Sequence, residues 1–233
     1  MIRTPIRNRL LAALPPDEYR RLKPTLSTTT LEHHKLLEDS GEPITHVYFP
    51  WGGVCSLTAS MSDGRMVEVG TIGNEGLVGM AAYFGGRFPN TKTMVQVPGE
   101  GADVMRVRTF VAEMEKEGPL YQLVRRYSQA LLVLMAQSVA CNALHDVNQR
   151  CARWLLMTHD RVGGDTLLLT QEYLATMLGV RRPSVTEVAK ALQQAGLIKY
   201  SRGRIVILDR PGLLKLACEC YFVTRNELER RIS

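Results

Sequence analysis

Apolar and polar positions follow two rhythms along this chain. Up to about residue 115 they come in short bursts. HVYFPWGGVCSLTAS (46–60), RMVEVGTIG (65–73) and TKTMVQV (91–97) are rich in β-branched and aromatic residues, with turn signals such as PWGG and SDG between them. TKTMVQV alternates with a period of two, which suits a strand with one buried face. VPGEGADVMRVRTF (97–110) adds a Gly/Pro turn and a further strand. Many short strands at close spacing predict a sandwich, roll or barrel.

The period changes after Pro119. No glycine or proline occurs from there to His145, and apolar residues recur at helical spacing. Val124, Tyr127, Leu131, Leu134, Ser138, Cys141 and His145 step by three and four, the pattern of a heptad seam. Leu123, Leu132, Met135 and Val139 make a second apolar face. A helix apolar on two sides is buried twice, against its own domain and against something else. The pattern predicts a dimer seam at Val124, Tyr127, Leu131, Leu134, Ser138 and Cys141, the alternative being a core helix of a monomer.

The remainder predicts a helix through NQRCARWLLMTHDRV (148–162), a Gly-Gly turn, a helix pair, a small hairpin and a last helix over 210–232. In LTQEYLATMLG (169–179), Thr170 can cap a helix and Gly179 suits the bend that follows. Pro183 then falls in a first turn, where its missing N–H costs nothing, so VRRPSV begins a helix. Val185, Val188, Ala189 and Leu192 share its apolar face, and Glu187, Lys190 and Gln194 point the other way. That is how a recognition helix is built, with N-terminal residues toward base edges and its back on the first helix. Arg181 and Arg182 can bond guanine O6 and N7, and Glu187 can accept from cytosine N4. Pro183 sits among them, and Ser184, Thr186 and Lys190 are candidate phosphate contacts. YSRGRIVIL (200–208) adds a glycine turn flanked by Arg202 and Arg204, a basic wing.

Composition narrows this picture. The 233 residues can form one large domain or two modest ones, and a formal net charge of +6 suggests an anionic partner. Five widely scattered cysteines read as reduced thiols of a cytoplasmic protein. The longest apolar run, ALLVLMA, is too short to span a bilayer, so no membrane partner is expected.

A β-roll, a long helix and a winged helix-turn-helix, in that order, resemble the Crp/Fnr family of bacterial transcription regulators over nearly the whole chain. Residues 46–79 are similar to the family's cyclic-nucleotide-binding-like domain, and residues 169–208 look like its DNA-binding region. The resemblance implies an α+β fold: an antiparallel, jelly-roll-like β-roll at 1–117, a dimerisation helix at 118–145 and a winged helix-turn-helix at 146–233. It further implies a homodimer, a palindromic duplex site and recruitment of RNA polymerase.

The effector site departs from the family pattern. Members that bind cyclic AMP carry a Gly-Glu pair and, about ten residues on, an Arg followed by a small residue. Here Gly79 is followed by Met80, and the later positions fall on Asn90 and Thr91. Methionine cannot accept ribose hydroxyls, and asparagine brings no charge to a phosphate. Arg87 is displaced by three residues from the place of the family arginine, and Glu75 is a further candidate lining residue. The expected effector is therefore unknown and not cyclic AMP, the alternatives being a rearranged cyclic-nucleotide pocket or an adaptor acting through protein contacts. No cofactor is expected: Cys218 and Cys220 fall on a predicted helix, where positions two apart diverge, and the strand-like pair His33–His34 would face opposite ways. With no nucleophile–base constellation and no phosphate loop, an enzyme is not expected.

Overall fold

The structure, a computed structural model, describes residues 6–232. Two short helices, α1 (Arg9–Ala12) and α2 (Pro16–Leu22), lead through a 3-10 turn into the roll. Its strands are β1 (Leu26–Leu31), β2 (Leu36–Glu38), β3 (His46–Pro50), β4 (Val54–Ser60), β5 (Met66–Ile72), β6 (Lys92–Val97) and β7 (Gly99–Arg106), with α3 (Met80–Tyr83) inserted before β6. All pairing is antiparallel, in two sheets ordered β1-β7-β3 and β2-β6-β4-β5. Leu31 and Ala102 of the first sheet meet Leu37, Cys55, Leu57, Ile72 and Val95 of the second in the roll's interior. The roll and its strands β3 to β7 fall where the short apolar bursts predict, whereas β1, β2 and α3 lie outside those bursts and residues 107–110 begin a helix.

Helix α4 (Val107–Glu115) leads to α5 (Pro119–Leu144), which is the spine of the molecule. By length and composition alone α5 is apolar enough to cross a membrane, but one side of it is packed inside this fold. Leu120, Leu123, Val124, Tyr127 and Leu131 share a cluster with Leu10 and Leu11 of α1, Val47 and Phe49 of β3, and Phe110 of α4. The fit is close at Gly76, where an added Cβ would lie 2.2 Å from the Tyr127 Oη.

The predicted dimer seam is corrected here. Val124, Tyr127, Leu131, Leu134, Ser138 and Cys141 are all buried within the single chain, because the roll and the C-terminal helix occupy that side of α5. The large apolar residues of α5 left in solvent are Leu132, Val139 and Leu144, exposed by 59%, 71% and 80%. Leu132 and Val139 belong to the second face, and with the exposed Ala136 and Ala143 they step by four, three and four.

Beyond α5 come α6 (Val147–His159), β8 (Thr166–Leu168), α7 (Gln171–Leu178), α8 (Arg182–Gln194), β9 (Ile198–Ser201), β10 (Arg204–Ile207), α9 (Arg210–Leu216) and α10 (Cys220–Ile232). Strand β8, which the sequence pattern does not reveal, completes a sheet ordered β8-β10-β9. The single last helix expected over 210–232 is two helices, because Ala217 is extended (φ −65°, ψ 145°) and ends α9. Helix α10 then runs back along α5 until Ile232 reaches the apolar cluster at the roll.

Candidate nucleic-acid interface and the roll beside it

Helix α7 is capped by Thr170, whose Oγ1 accepts from the Tyr173 amide at 3.3 Å. It closes at Gly179 in the left-handed region (φ 62°), where glycine carries no Cβ penalty. Arg181 is the extended cap of α8 and Pro183 lies in its first turn. Val185, Val188, Ala189 and Leu192 are buried, as the helical count requires, and Val185, Val188 and Leu192 pack with Leu174 and Leu178 of α7. The wing turns on Arg202 (φ 48°) and Gly203 (φ 76°), with Ser201 opposite Arg204. Two successive positive φ values are those of a type I′ turn, which matches the strand twist.

This scaffold leaves Arg181, Arg182, Pro183, Thr186, Glu187, Lys190, Arg202 and Arg204 exposed, and Ser184 half-buried. Thr186 donates to the Gln171 side chain at 2.9 Å, fixing α7 to α8 across the turn. Among the described residues no carboxylate pairs with Arg181, Arg182, Lys190, Arg202 or Arg204. Cations kept in water, at a helix start and on the adjacent hairpin, are free to take phosphate or base edges.

The roll lies against this unit. Val54 and Val97 of the roll and Leu134 of α5 join the cluster that holds Trp154, Leu155 and Leu174. The Gly53 amide donates to the Arg161 carbonyl at 3.0 Å, and Trp154 Nε1 donates to Glu68 at 2.9 Å. Burial pushes the Glu68 carboxyl up to about 7, against the hydrogen bonds from Ser56 and Trp154. The β4–β5 hairpin shares a cleft with the start of α8, where Met61, Arg65 and Met66 face Arg181, Arg182 and Ser184.

The five predicted effector residues are not gathered into one site. Glu75 is buried and committed to Arg161, whose Nη2 donates to Oε1 at 2.7 Å and whose Nη1 donates to Thr71 at 2.8 Å. Burial alone would raise the Glu75 carboxyl, but the charge and hydrogen bonds of Arg161 hold it below the usual carboxylate range. Gly79 (φ 111°) caps α3, Met80 packs among apolar residues, Asn90 is exposed and Thr91 half-buried. Arg87 is exposed and lies over the Phe88 ring.

Two readings of side-chain direction change with the backbone. His33 and His34 lie in a turn, not a strand, and their rings stack at 3.7 Å, with His34 4.6 Å from the Tyr173 ring of α7. Cys218 lies outside α10, so the divergence of helical positions two apart does not apply to it and Cys220. Both pack with Cys141 in one buried cluster beside His145. A Cys-x3-His pair at the end of a helix and a Cys-x-Cys pair next to a helix start were the signals available for this grouping, and only the packing of α10 on α5 unites them.

Residues 149–216 match the family of Crp-like helix-turn-helix domains. The fold is similar to that of a CRP-family transcriptional regulator from Thermus thermophilus, at 19% identity and a TM-score of 0.66, covering 81% of this chain and 96% of that one. It is also similar to FixK2 from Bradyrhizobium japonicum (15% identity, TM-score 0.69, 83% and 98% covered). A third is the c-di-GMP-responsive global regulator CLP of Xanthomonas campestris (18% identity, TM-score 0.64, 84% and 100% covered). No curated protein sequence matches the chain.

Proposed function

We infer that this chain, a Crp/Fnr-type fold carrying a Crp-like helix-turn-helix domain at residues 149–216, regulates transcription in the cytoplasm as a homodimer on a palindromic duplex site. The observation that carries this is the unpaired basic start of α8 beside the basic wing. Arg182 is the residue that reads a base, with Glu187 as a second. Arg181, Ser184, Thr186, Lys190, Arg202 and Arg204 hold phosphates and set the register. Two copies meet through Leu132, Ala136, Val139 and Ala143 of α5, which places two recognition helices about one turn of duplex apart. Recruitment of RNA polymerase follows from the family likeness.

The effector is not cyclic AMP in its usual contacts, since Glu75 is held by Arg161 and Met80 and Asn90 replace the anionic and cationic contacts. Control acts on the cleft where the β4–β5 hairpin stands beside Arg181 and Arg182. A signal that moves the roll away opens the end of α8 to a groove.

Selection of bound fragments from random duplexes, followed by fluorescence anisotropy, tests the DNA reading. The expected result is a preferred palindrome, with Arg182→Ala losing about 1–3 kcal/mol of discrimination at one position of each half-site. Unchanged discrimination in Arg182→Ala would remove the role given to that side chain. For the dimer, Val139→Glu should give a monomer by sedimentation, whereas an unshifted dimer would place the interface elsewhere. Calorimetry with cyclic AMP, cyclic GMP and cyclic di-GMP tests the effector, and a strong cyclic AMP signal at one per chain would overturn the reading of the pocket.

A further inference from the structure

Four side chains outside the DNA-binding surface converge where α5 ends and α10 begins. Cys141 and His145 lie one turn apart at the end of α5, while Cys220 opens α10 and Cys218 precedes it by two residues. The three Sγ atoms and a ring nitrogen of His145 all lie within 4.8 Å of one another. Cys141 Sγ is 3.5 Å from Cys218 Sγ, and Cys220 Sγ is 3.5 Å from His145 Nδ1. A tetrahedral zinc ion, with Zn–S of about 2.3 Å and Zn–N of about 2.0–2.1 Å, sets its ligand atoms roughly 3.5–3.8 Å apart. The spacing therefore fits one ion. A polynuclear cluster, whose thiolates sit on different irons, needs a wider set.

The surroundings are those of a ligand set. Glu219 Oε2 lies 3.2 Å from His145 Nε2, which orients the ring and leaves Nδ1 toward the sulfurs. Gln137 Nε2 donates to Cys220 Sγ at 3.0 Å. A carboxylate behind a histidine and an amide on a sulfur are the outer contacts that hold metal ligands in place. Charge supplies an independent argument. Arg153 is buried, yet its Nε and Nη1 have no hydrogen-bond partner, and Arg150 Nε has none either. Arg153 lies within electrostatic reach of Cys141, and Arg150 of Cys141 and Cys218. Three thiolates and a neutral imidazole around a divalent cation carry one net negative charge, which complements these unbonded guanidinium N–H groups. Arg153 also lies within electrostatic reach of Glu68.

We propose that Cys141, His145, Cys218 and Cys220 form a closed tetrahedral site for one zinc-class divalent cation, bound as three thiolates and a neutral imidazole. The three thiol protons leave to solvent on binding. With four protein ligands and no open position, the ion is structural. It clamps α10 to α5 directly before Asp146, the cap of α6, and so sets how the long helix meets the DNA-binding unit. None of the four residues lies within the matched 149–216 segment, so the site is separate from the helix-turn-helix.

The test uses the full-length protein purified under reducing conditions, with zinc and cobalt(II) as probes. The expected result is one zinc per chain by elemental analysis. Cobalt should give thiolate-to-metal charge-transfer absorption and the visible bands of tetrahedral cobalt, displaced by zinc. Cys218→Ser and His145→Ala should lose or blue-shift those bands. Glu219→Gln, at an exposed carboxylate that leaves the core intact, should weaken zinc about 10–100-fold. Substoichiometric zinc with an octahedral cobalt spectrum in the folded wild-type protein would overturn the proposal. A tetrahedral spectrum unchanged in Cys218→Ser would do the same, as would a Cys141–Cys218 disulfide that persists under reductant.

Discussion

Replacing Arg161 by methionine isolates the buried ion pair among the contacts that tie the roll to the helix-turn-helix unit. Arg161 and Glu75 are 5% exposed each, and the guanidinium reaches the carboxylate through Nε at 3.1 and 3.2 Å and Nη2 at 2.7 Å. After Arg161→Met the carboxylate keeps the Gly73 amide, at 3.0 Å, but has lost its cation. Removing one member of a buried pair costs about 3–5 kcal/mol, because a desolvated charge is left behind. Replacing both members with apolar residues of similar volume, Glu75→Leu with Arg161→Met, is expected to recover most of that loss. Urea unfolding at fixed protein concentration, followed by circular dichroism and tryptophan fluorescence, measures both. The sign with pH is also determined. The Glu75 carboxyl is held below its ordinary value, so its stabilisation is present above that value and is lost as pH falls through the lower one in the fold. The difference between wild type and Arg161→Met should therefore shrink on acidification. A loss under about 1 kcal/mol, or a double variant no better than the single one, would refute the assignment of this pair as the buried tie.

Further outcomes follow from neighbouring contacts. Glu68, raised to about 7 by burial, favours the fold when protonated. Its contribution is present below the ordinary carboxyl range and falls away as pH rises toward 7. Trp154 fluorescence should report a transition near that pH that Glu68→Gln abolishes, and an identical profile in the variant would exclude Glu68 as its source. Gly76→Ala drives a methyl to 2.2 Å from the Oη of the fully buried Tyr127. It should destabilise by about 1–3 kcal/mol, with Tyr127→Leu restoring part of it; thermal melts of the two single variants and the pair would show otherwise if the effects simply added.

The contrast between what was legible and what was not is clearest on α5 and at the cysteines. Local patterns carried the roll strands β3 to β7, the Thr170 cap, the Gly179 bend, the Pro183 start and the buried face of α8, because each depends on backbone preferences and on which side of one element is apolar. That α5 carries two apolar faces was also readable, and the structure buries one of them within the chain. Which side faced its own chain was not readable, since heptad spacing marks a buried stripe without naming the partner, and the roll and α10 took the one assigned to a second copy. Strand β8 is three residues long, with only Leu167 buried, too little to form a pattern. The family pattern places Met80, Asn90 and Thr91 by offset along the chain, whereas the ion pair of Glu75 joins residues 86 apart. Cys141 and Cys218 are 77 apart, and they meet only because Ala217 breaks the last helix and turns α10 back along α5. By itself the sequence determined the strongly patterned elements, their order and the chemistry of the exposed helix start, but not β8 or the break between α9 and α10. Tertiary packing alone decided which faces met and which distant side chains shared a charge or a sulfur cluster, because contacts between elements depend on the direction each takes after its turn.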